Sequence, residues 1–306
     1  MTEVMIVSGF LGAGKTTFIT RFLEYGLAGA HCLLIENDFG DAGVDAALMD
    51  RTEGLVISEI NSGCVCCSLA GNLQTYIREA LKELEPERII LEPSGVAGLS
   101  GILRSLKPFV QEGLIRLEGP VTVLGPTRTR AYLSRFGGIL RDQMENAGVL
   151  VLRPGTDPAT YSISGQEVPV FSLDWTRENF EHMLLPLIRG GRGRAEIVSE
   201  MTVDGFKTAG LVYYTLCPDQ AYTAKEAAEI LYGLRRAFRE KLLRLKGFLH
   251  RTGGGLWHVE YTVSSQEILE FEGSLNAGIN IIGRGIQREP IERFFHKEMG
   301  TMRIRV

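Results

Sequence analysis

The feature that most constrains this chain is a glycine-rich turn that lies between an apolar run and an amphipathic stretch. Residues 4–7 are apolar and predict a short buried β-strand, whereas Phe18, Phe22 and Leu23 recur at helical spacing. Between these two patterns, residues 9–16 have the sequence GFLGAGKT. A turn rich in glycine brings backbone N–H groups close to an anion, and the N-terminus of the following helix adds positive charge. The sequence therefore predicts a phosphate-binding loop.

The spacing within this turn matches the G-x-x-x-x-G-K-T pattern of a P-loop, with the required strand before it and helix after it. Lys15 supplies a point charge for the outer phosphates of a nucleotide, and the Thr16 hydroxyl is a ligand for Mg²⁺. The residues that we expect to bind the nucleotide here are Gly9, Gly12, Ala13, Gly14, Lys15, Thr16 and Thr17. A turn without a ligand is the alternative, and it requires strand, spacing, Lys-Thr pair and helix to agree by chance.

Composition and charge exclude several classes of protein. The 306 residues, of which 44% are hydrophobic and 23% charged, are typical of a globular protein with room for two domains. A net charge of -4 argues against a dedicated nucleic-acid binder, and no apolar run approaches the roughly 20 residues that span a bilayer. Three of the five cysteines lie within four residues, which suits metal or redox chemistry in a reducing cytosol. We expect a cytoplasmic protein with neither nucleic acid nor a membrane among its partners.

Alternation of apolar runs with helical patterns in the first half of the chain predicts the fold class. The apolar runs are residues 4–7, 33–35, 55–57, 89–91, 121–124, 149–152 and 168–171. Such alternation indicates an α/β domain with a mostly parallel sheet and helices on both faces. After the sequence RGGRGR the strands outnumber the helices, which predicts a smaller C-terminal α+β domain. We therefore predict a nucleotide-binding domain over residues 1–188, a linker over 189–195 and a second domain over 196–306.

Within the second domain we predict a strand over 208–216 and one long helix over 224–245. A hairpin of 247–250 with 256–263, a strand over 278–282 and a helix near 290–297 follow. The basic residues of the long helix are expected on its solvated face, with a docking surface for an acidic partner as the alternative: Arg235, Arg236, Arg239, Lys241, Arg244 and Lys246. We expect His250 and His258 to be structural rather than metal ligands.

Two acidic segments follow predicted strands, at the sheet edge where ligands of parallel sheets bind. Glu36, Asp38 and Asp41 follow the second strand; such carboxylates hold Mg²⁺ through water, orient an attacking water or ligate a second metal. Glu92 follows the fourth strand, where a Walker B acid lies near Mg²⁺, and Gly95 lets a backbone N–H approach the γ-phosphate. The alternatives are an ordinary acidic turn and a turn in which a serine caps the next helix.

Cys64, Cys66 and Cys67 follow the third predicted strand on a glycine-bearing loop. Thiolates are soft ligands that suit Zn²⁺ or Cu(I), and three of them leave a fourth tetrahedral position for water or another side chain. The alternatives are small buried side chains and a redox pair without a metal. Cys32 and Cys217 lie in or next to predicted strands, and we expect both to belong to the core.

Four motifs in order resemble the CobW family of P-loop GTPases: GFLGAGKTT, ENDFGDAGVD, EINSGCVCCS and EPSG. A weaker resemblance continues through residues 143–147 and through LKGF at 245–248. The resemblance implies a GTPase that binds GTP, Mg²⁺ and Zn²⁺ or another transition metal. It implies delivery of the metal to a client metalloprotein, or of cobalt to a corrinoid-pathway protein in cobalamin biosynthesis. By analogy with the related nickel-insertion GTPases of urease and hydrogenase, it suggests a nucleotide-dependent homodimer.

The resemblance also implies roles for individual residues of this chain. Its metal-contacting set would be Glu36, Asp41, Cys64, Cys66 and Cys67, with Thr16 on Mg²⁺. Its catalytic set would be Lys15, Asp38 and Glu92.

The base-binding motif departs from the family pattern. The family reads the base with Asn-Lys-x-Asp after a late strand, whereas here Arg153-Pro154-Gly155-Thr156-Asp157 follows that strand and only Asp157 matches. Asp157 can still accept from the N1 and N2 donors of guanine, but the choice between GTP and ATP stays open. After the preceding strand the family has an aspartate, and this chain has Gly125.

Two other functions compete with a metal-transferring GTPase. The first is a nucleotide- and metal-binding sensor or scaffold with little turnover. The second is an ATP-using accessory protein of a corrinoid enzyme, in which the thiols act in redox chemistry.

Overall fold

The computed structural model describes residues 1–27, 31–36, 55–59, 65–126, 130–161, 168–190, 210–262, 266–272 and 277–296. The described residues up to 190 belong to one compact unit, and those from 210 onward belong to a second. Within these ranges, no helix combines the length and the apolar character that crossing a membrane requires.

A parallel sheet forms the centre of the first unit, and its strands and helices occur in the following order. The strands are β1 (Thr2–Ser8), β2 (Cys32–Glu36), β3 (Leu55–Glu59), β4 (Arg88–Glu92), β5 (Ile115–Leu117), β6 (Val121–Leu124), β7 (Val149–Leu152) and β8 (Val170–Phe171). The helices are α1 (Lys15–Glu24), α2 (Val65–Glu83), α3 (Leu99–Gln111) and α4 (Arg130–Glu145), followed by short helical segments Pro158–Tyr161, Arg177–Asn179, Phe180–Leu184 and Leu185–Gly190. The sequence predicted neither β5 nor the helical segments after β7.

The strand order is β3-β2-β4-β1-β6-β7-β8, and β5 pairs with the first half of β1. Side chains of β1 alternate between two cores: Met5 and Val7 pack with α1, whereas Val4 and Ile6 pack with α2 and α3. This arrangement confirms the predicted α/β class with helices on both faces. The chain leaves β1 toward β2 on one side and later continues through β6 on the other, so β1 lies at the switch point where such sheets bind ligands.

The predicted linker starts inside a helix. Arg189 and Gly190, which we assigned to the linker, end the helix Leu185–Gly190. Residues 191–195 lie outside the described ranges, so the boundaries at 188 and 196 stay predictions.

An antiparallel sheet forms the second unit. Its order is β13-β12-β11-β14-β9, and a short strand, β10, pairs in parallel with β11. The elements are β9 (Leu211–Leu216), β10 (Ala221–Tyr222), α5 (Ala224–Phe238), β11 (Leu242–Arg251), β12 (Leu256–Thr262), β13 (Gln266–Phe271), β14 (Gly278–Arg284) and α6 (Arg288–Glu292). One face of the sheet packs against α5 in a single core, which confirms the smaller C-terminal α+β region.

The predicted long helix over 224–245 is wrong. Helix α5 ends at Phe238, a short 3₁₀ turn follows, and the chain becomes strand β11 from Leu242 onward. Arg239 at the junction has a φ of 41°, which interrupts the helix. As a result Arg244 and Lys246 lie on a strand and not on a solvated helix face, and Lys246 is only 3% exposed. Pairing of β11 with both β12 and β14 decides the conformation.

Three further expectations concern cysteine and histidine residues. Cys32 is buried as expected, and burial raises its pKa to about 12. Cys217, expected in the core, is exposed because it lies just beyond the end of β9. His258 is 3% exposed and His250 is exposed, and neither contributes to a cluster of metal-ligating groups among the described residues.

Candidate functional site

The glycine-rich turn wraps closely around the N-terminus of α1. Gly14 is the residue that precedes α1, and its φ of 101° lies in the region that favours glycine. Gly9 has a φ of 141°, and a Cβ there would lie 2.4 Å from the carbonyl oxygen of Val123 in β6. The amide of Ala13 donates to the carbonyl of Phe10 at 3.1 Å, which closes the turn. Glycine is therefore required where the turn crosses the sheet edge.

Two more glycines bring neighbouring loops against this turn. A Cβ on Gly95, after β4, would lie 2.7 Å from the backbone nitrogen of Leu11. A Cβ on Gly125, after β6, would lie 2.9 Å from the carbonyl oxygen of Ala13. The departure from the family pattern at Gly125 therefore has a steric consequence, since no side chain fits there without moving the P-loop.

Lys15, Thr16 and Glu92 form a compact polar cluster at the C-terminal ends of β1 and β4. Nζ of Lys15 lies 3.7 Å from Oε1 of Glu92, and the Thr16 hydroxyl donates to both carboxylate oxygens at 3.3 and 3.4 Å. Lys15 is 5% and Glu92 7% exposed, so the carboxylate is largely removed from water. The predicted P-loop and Walker B residues thus lie together. Thr17 has an exposed side chain.

The donors of this cluster fit Mg²⁺. Magnesium prefers oxygen ligands and is held in nucleotide sites by one or two protein oxygens together with phosphate oxygens. The Thr16 hydroxyl and the Glu92 carboxylate provide such oxygens within hydrogen-bond distance of each other. When bound, Mg²⁺ would neutralise charge on the outer phosphates of a nucleotide.

Residues on α4 that the sequence did not assign to the site hold the loop after β4. Nε2 of Gln143 donates to the carbonyls of Gly95 at 3.2 Å and Ala97 at 2.9 Å. Oδ2 of Asp142 accepts from the Ser100 amide at 3.1 Å. All of these groups are buried, so α4 fixes the position of the glycine that touches the P-loop. In the sequence, the signal that could have indicated this role was the weak resemblance to the family over residues 143–147.

The hydroxyl of Ser94 does not cap the next helix, contrary to the alternative considered for this turn. Gly98 precedes α3, and no side chain caps that helix. Ser94 Oγ instead accepts from the Val96 amide at 3.5 Å within the loop.

The end of β7 supplies groups near Gly14. A Cβ on Gly14 would lie 3.4 Å from Cδ of Arg153 and 3.7 Å from Cη2 of Trp175. Asp157 is exposed, and its Oδ1 accepts from the Ala159 amide at 2.9 Å, so this carboxylate caps a 3₁₀ turn. The sequence did not assign Arg153 or Trp175 to the site.

The predicted metal-binding segments are described only in part. The backbones of Glu36, Glu59 and Glu92 pair in register across β3, β2 and β4, so these strands end at one level. Cys66 and Cys67 belong to the first turn of α2, the helix that follows β3. Asp38, Asp41 and Cys64 lie outside the described residues, as do the side chains of Glu36, Cys66 and Cys67. Among the described residues, no group of three or more histidine, cysteine, aspartate or glutamate side chains is arranged to hold a metal ion.

The segment that carries the P-loop, the acidic strand end and the glycine-bearing loops matches a known protein family. A family model described as the nucleotide-binding domain of CobW, HypB and UreG matches residues 3–165. The chain belongs to this family. The match spans more than half of the 306 residues and confirms the resemblance stated above.

Individual relatives of this CobW/HypB/UreG protein are similar over part of their length. The zinc chaperone YeiR of Escherichia coli is 32% identical over 151 residues, or 49% of this chain and 46% of YeiR. The zinc chaperone CobW of a Sinorhizobium species is 34% identical over 126 residues, or 39% of this chain and 35% of that CobW. These matches therefore span less than half of either relative. A crystal structure of Zn(II)-bound YjiA GTPase from E. coli shares 18% identity, with 96% of this chain and 98% of that chain covered and a TM-score of 0.40.

Proposed function

We propose that this chain is a metal-binding GTPase that couples GTP binding and hydrolysis to transfer of Zn²⁺ or another transition metal to a client metalloprotein. The observation that carries the proposal is the common level at which β2, β3 and β4 end. Glu92, which contacts Lys15 and Thr16, ends β4 in register with Glu36, and Glu36 is in register with Glu59. The end of β4, where the phosphates would bind, is therefore two strands away from the end of β3, after which the cysteines follow in the chain.

The nucleotide side of the proposal rests on the buried polar cluster. Lys15 would bind the outer phosphates, while Thr16 and Glu92 would hold Mg²⁺. Gly95 would offer its backbone N–H to the γ-phosphate, and Asp38 would orient the attacking water. Charge of this kind, fixed in a site from which water is largely excluded, stabilises the transition state of phosphoryl transfer.

The metal side of the proposal rests on the chemistry of the side chains that follow β2 and β3. The metal ligands would come from the set Glu36, Asp41, Cys64, Cys66 and Cys67, because thiolates and carboxylates are ligands that Zn²⁺ accepts. Two of these cysteines lie in the first turn of α2, and a helix N-terminus favours the thiolate form. The names of the relatives, zinc chaperones, support Zn²⁺ as the cargo. Cobalt, delivered to a corrinoid-pathway protein, would be the alternative cargo.

Coupling between the nucleotide and the metal would follow because the residues proposed to bind them end or follow neighbouring strands. GTP and Mg²⁺ would order the acidic segment after β2 together with the cysteine segment after β3, and hydrolysis would release that order. Linkage requires that the metal change the nucleotide affinity by the same factor by which the nucleotide changes the metal affinity.

One observation favours a sensor with little turnover as the second candidate. Asp157 caps a 3₁₀ turn, and the asparagine and lysine of the family motif are missing, so the base would be held differently from the family pattern. A sensor of this kind would bind GTP and Zn²⁺ but would not hydrolyse GTP to release phosphate.

Release of inorganic phosphate from GTP and from ATP, with and without Zn²⁺, tests the proposal against both alternatives. Lys15→Ala is the inactive reference, and Lys107→Ala, an exposed lysine on α3, is the matched control. We expect the wild type and Lys107→Ala to release phosphate from GTP above the Lys15→Ala rate. Equal rates in all three proteins would contradict GTP hydrolysis and favour the sensor. A preference for ATP together with a disulfide among Cys64, Cys66 and Cys67 would favour the redox alternative.

A further inference from the structure

The side chain of Arg153 lies beside the phosphate-binding turn. Arg153 is the first residue after β7, and its amide donates to the carbonyl of Leu124 at the end of β6 at 2.8 Å. Its Cδ would lie 3.4 Å from a Cβ on Gly14, and its Nε would lie 3.9 Å from the same point. The aliphatic part of this arginine therefore passes the position where α1 begins.

The ring of Trp175 lies beside the same position. Its indole N–H donates to the carbonyl of Leu152 at 3.1 Å, and its ring meets Phe18 of α1 edge-on with 5.7 Å between centroids. Its Cη2 would lie 3.7 Å from a Cβ on Gly14. Arg153 and Trp175 therefore both lie beside the residue that precedes α1, and Trp175 is held there at its nitrogen and at its ring.

The guanidinium of Arg153 is available for a ligand, whereas one oxygen of the Asp157 carboxylate already accepts a hydrogen bond. Arg153 is exposed, and among the described residues its side chain forms neither a hydrogen bond nor an ion pair. Oδ1 of Asp157 already accepts from the Ala159 amide at 2.9 Å. Arg153 thus offers donors beside the P-loop that have no partner among the described residues, whereas one oxygen of Asp157 is engaged in capping.

We infer that Arg153 determines the base specificity of the nucleotide site by donating to the O6 and N7 acceptors of guanine. The inference rests on the proposed function, because it concerns the base of the same nucleotide. Guanidinium carries donors only, in a fork that matches two adjacent acceptors. Guanine presents O6 and N7 as such a pair, whereas adenine presents N7 next to an amino donor that arginine repels. Reading of the base thus moves from the carboxylate of the family motif to an arginine that the motif lacks.

Nucleotide analogues that differ from GTP at one edge of the base distinguish recognition by Arg153 from recognition by Asp157. Inosine triphosphate keeps O6 and N7 but lacks the N2 amino group, whereas 7-deaza-GTP keeps N1 and N2 but lacks N7. Affinities for GTP, ITP, 7-deaza-GTP and ATP would be measured by competition with a fluorescent GTP analogue. The proteins would be the wild type, Arg153→Ala, Arg153→Lys, and Arg141→Ala, an exposed arginine on α4.

In the wild type and in Arg141→Ala we expect ITP to bind within about threefold of GTP, and 7-deaza-GTP and ATP to bind about tenfold or more weakly, the discrimination typical of a bidentate arginine–guanine pair. Arg153→Ala should bind GTP no more tightly than the wild type binds 7-deaza-GTP while melting like the wild type, and Arg153→Lys should recover part of the lost affinity. Weak binding of ITP together with full binding of 7-deaza-GTP would overturn the inference in favour of Asp157. Equal affinity of the wild type for all four would overturn it while the proposed function stands. Binding of none of them would overturn both.

Discussion

The hydroxyl of Thr16 lies 3.3 Å from Oε2 of Glu92, although 76 positions separate the two residues in the chain. The contact exists because β1 and β4 are neighbouring parallel strands, so the residues that follow them meet at one sheet edge. It joins the two groups that would hold Mg²⁺, and Lys15 lies on the same carboxylate.

Glu92→Gln should abolish most Mg²⁺-dependent turnover. The amide keeps the size of the side chain but removes the charge that faces Lys15 and Thr16. We expect kcat for GTP hydrolysis to fall by about a hundredfold, which is typical for loss of one fixed electrostatic group. Steady-state phosphate release as a function of Mg²⁺ measures the effect. Glu112→Gln, which alters an exposed carboxylate paired with Arg78, is the control and should change nothing. An unchanged kcat in Glu92→Gln would remove Glu92 from the site.

Gly125→Ala should weaken nucleotide binding through the P-loop. The new methyl would lie 2.9 Å from the carbonyl oxygen of Ala13, so the loop has to move. Overpacking of this kind costs about 1–3 kcal/mol, and we expect GTP affinity to fall by about tenfold. Isothermal titration with GTP measures the change.

Gly101→Ala is the matched control for the Gly125 variant. Gly101 lies in α3 with open space around its Cα, so the substitution should leave GTP affinity unchanged and raise the free energy of unfolding by about 0.5–1 kcal/mol. Equal GTP affinity of Gly125→Ala and the wild type would show that the close approach to Ala13 has no role in binding.

Gln143→Leu should destabilise the protein and weaken nucleotide binding together. The leucine removes the donor that serves the carbonyls of Gly95 and Ala97, and both acceptors are buried. An unsatisfied buried acceptor costs about 1–3 kcal/mol. Denaturant unfolding and GTP titration measure the two effects. Gln111→Leu, at an exposed position on α3, should alter neither quantity. A stable variant with full GTP affinity would show that α4 does not position the loop after β4.

Stability should fall at mildly acidic pH because of His258. Burial, then the positive charge of Lys246, lower its pKa from 6.5 to about 4, with Arg244 contributing in the same direction and Glu260 opposing. Between these values the unfolded chain binds a proton that the folded chain does not, so stability is full above about pH 6.5 and is lost as the pH falls toward 4. From about pH 7.5 to about pH 5 we expect a loss of roughly 2 kcal/mol from this group.

Urea unfolding across that pH range tests the role of His258. In His258→Leu the slope of the unfolding free energy against pH should flatten, whereas His250→Leu, at an exposed position, should keep the slope of the wild type. The same slope in His258→Leu as in the wild type would mean that other groups titrate in this window.

The parts of the fold that the sequence predicted correctly are those fixed by local pattern. Every strand of the parallel sheet except β5 was predicted because buried strands are continuous apolar runs. The segment over 242–245 was assigned to a helix because Leu242 and Leu245 continue the spacing of Leu234 and Phe238. The residues from 243 onward also alternate as a strand does, and pairing with β12 and β14 settles the ambiguity. Strand β13 was missed because it is an edge strand with polar residues on both faces.

The residues of the candidate site likewise fall into two groups: those with a local signal in the sequence, and those that only the fold brings together. The P-loop and the loop after β4 carry their signal in consecutive residues, so the sequence could assign Lys15, Thr16, Glu92 and Gly95 to the candidate site, and the structure places Lys15, Thr16 and Glu92 in contact. Gln143 was not assigned because its partners lie 46 and 48 positions away and only the fold brings them together. The arginine and the tryptophan beside Gly14 were missed for the same reason, since they follow different strands.

Zn²⁺ affinity measured with and without a non-hydrolysable GTP analogue tests the central claim most directly. The account predicts that the analogue changes the Zn²⁺ dissociation constant, that Zn²⁺ changes the affinity for the analogue by the same factor, and that Lys15→Ala removes both effects. Identical Zn²⁺ affinities with and without the analogue would contradict coupling between the nucleotide and the metal.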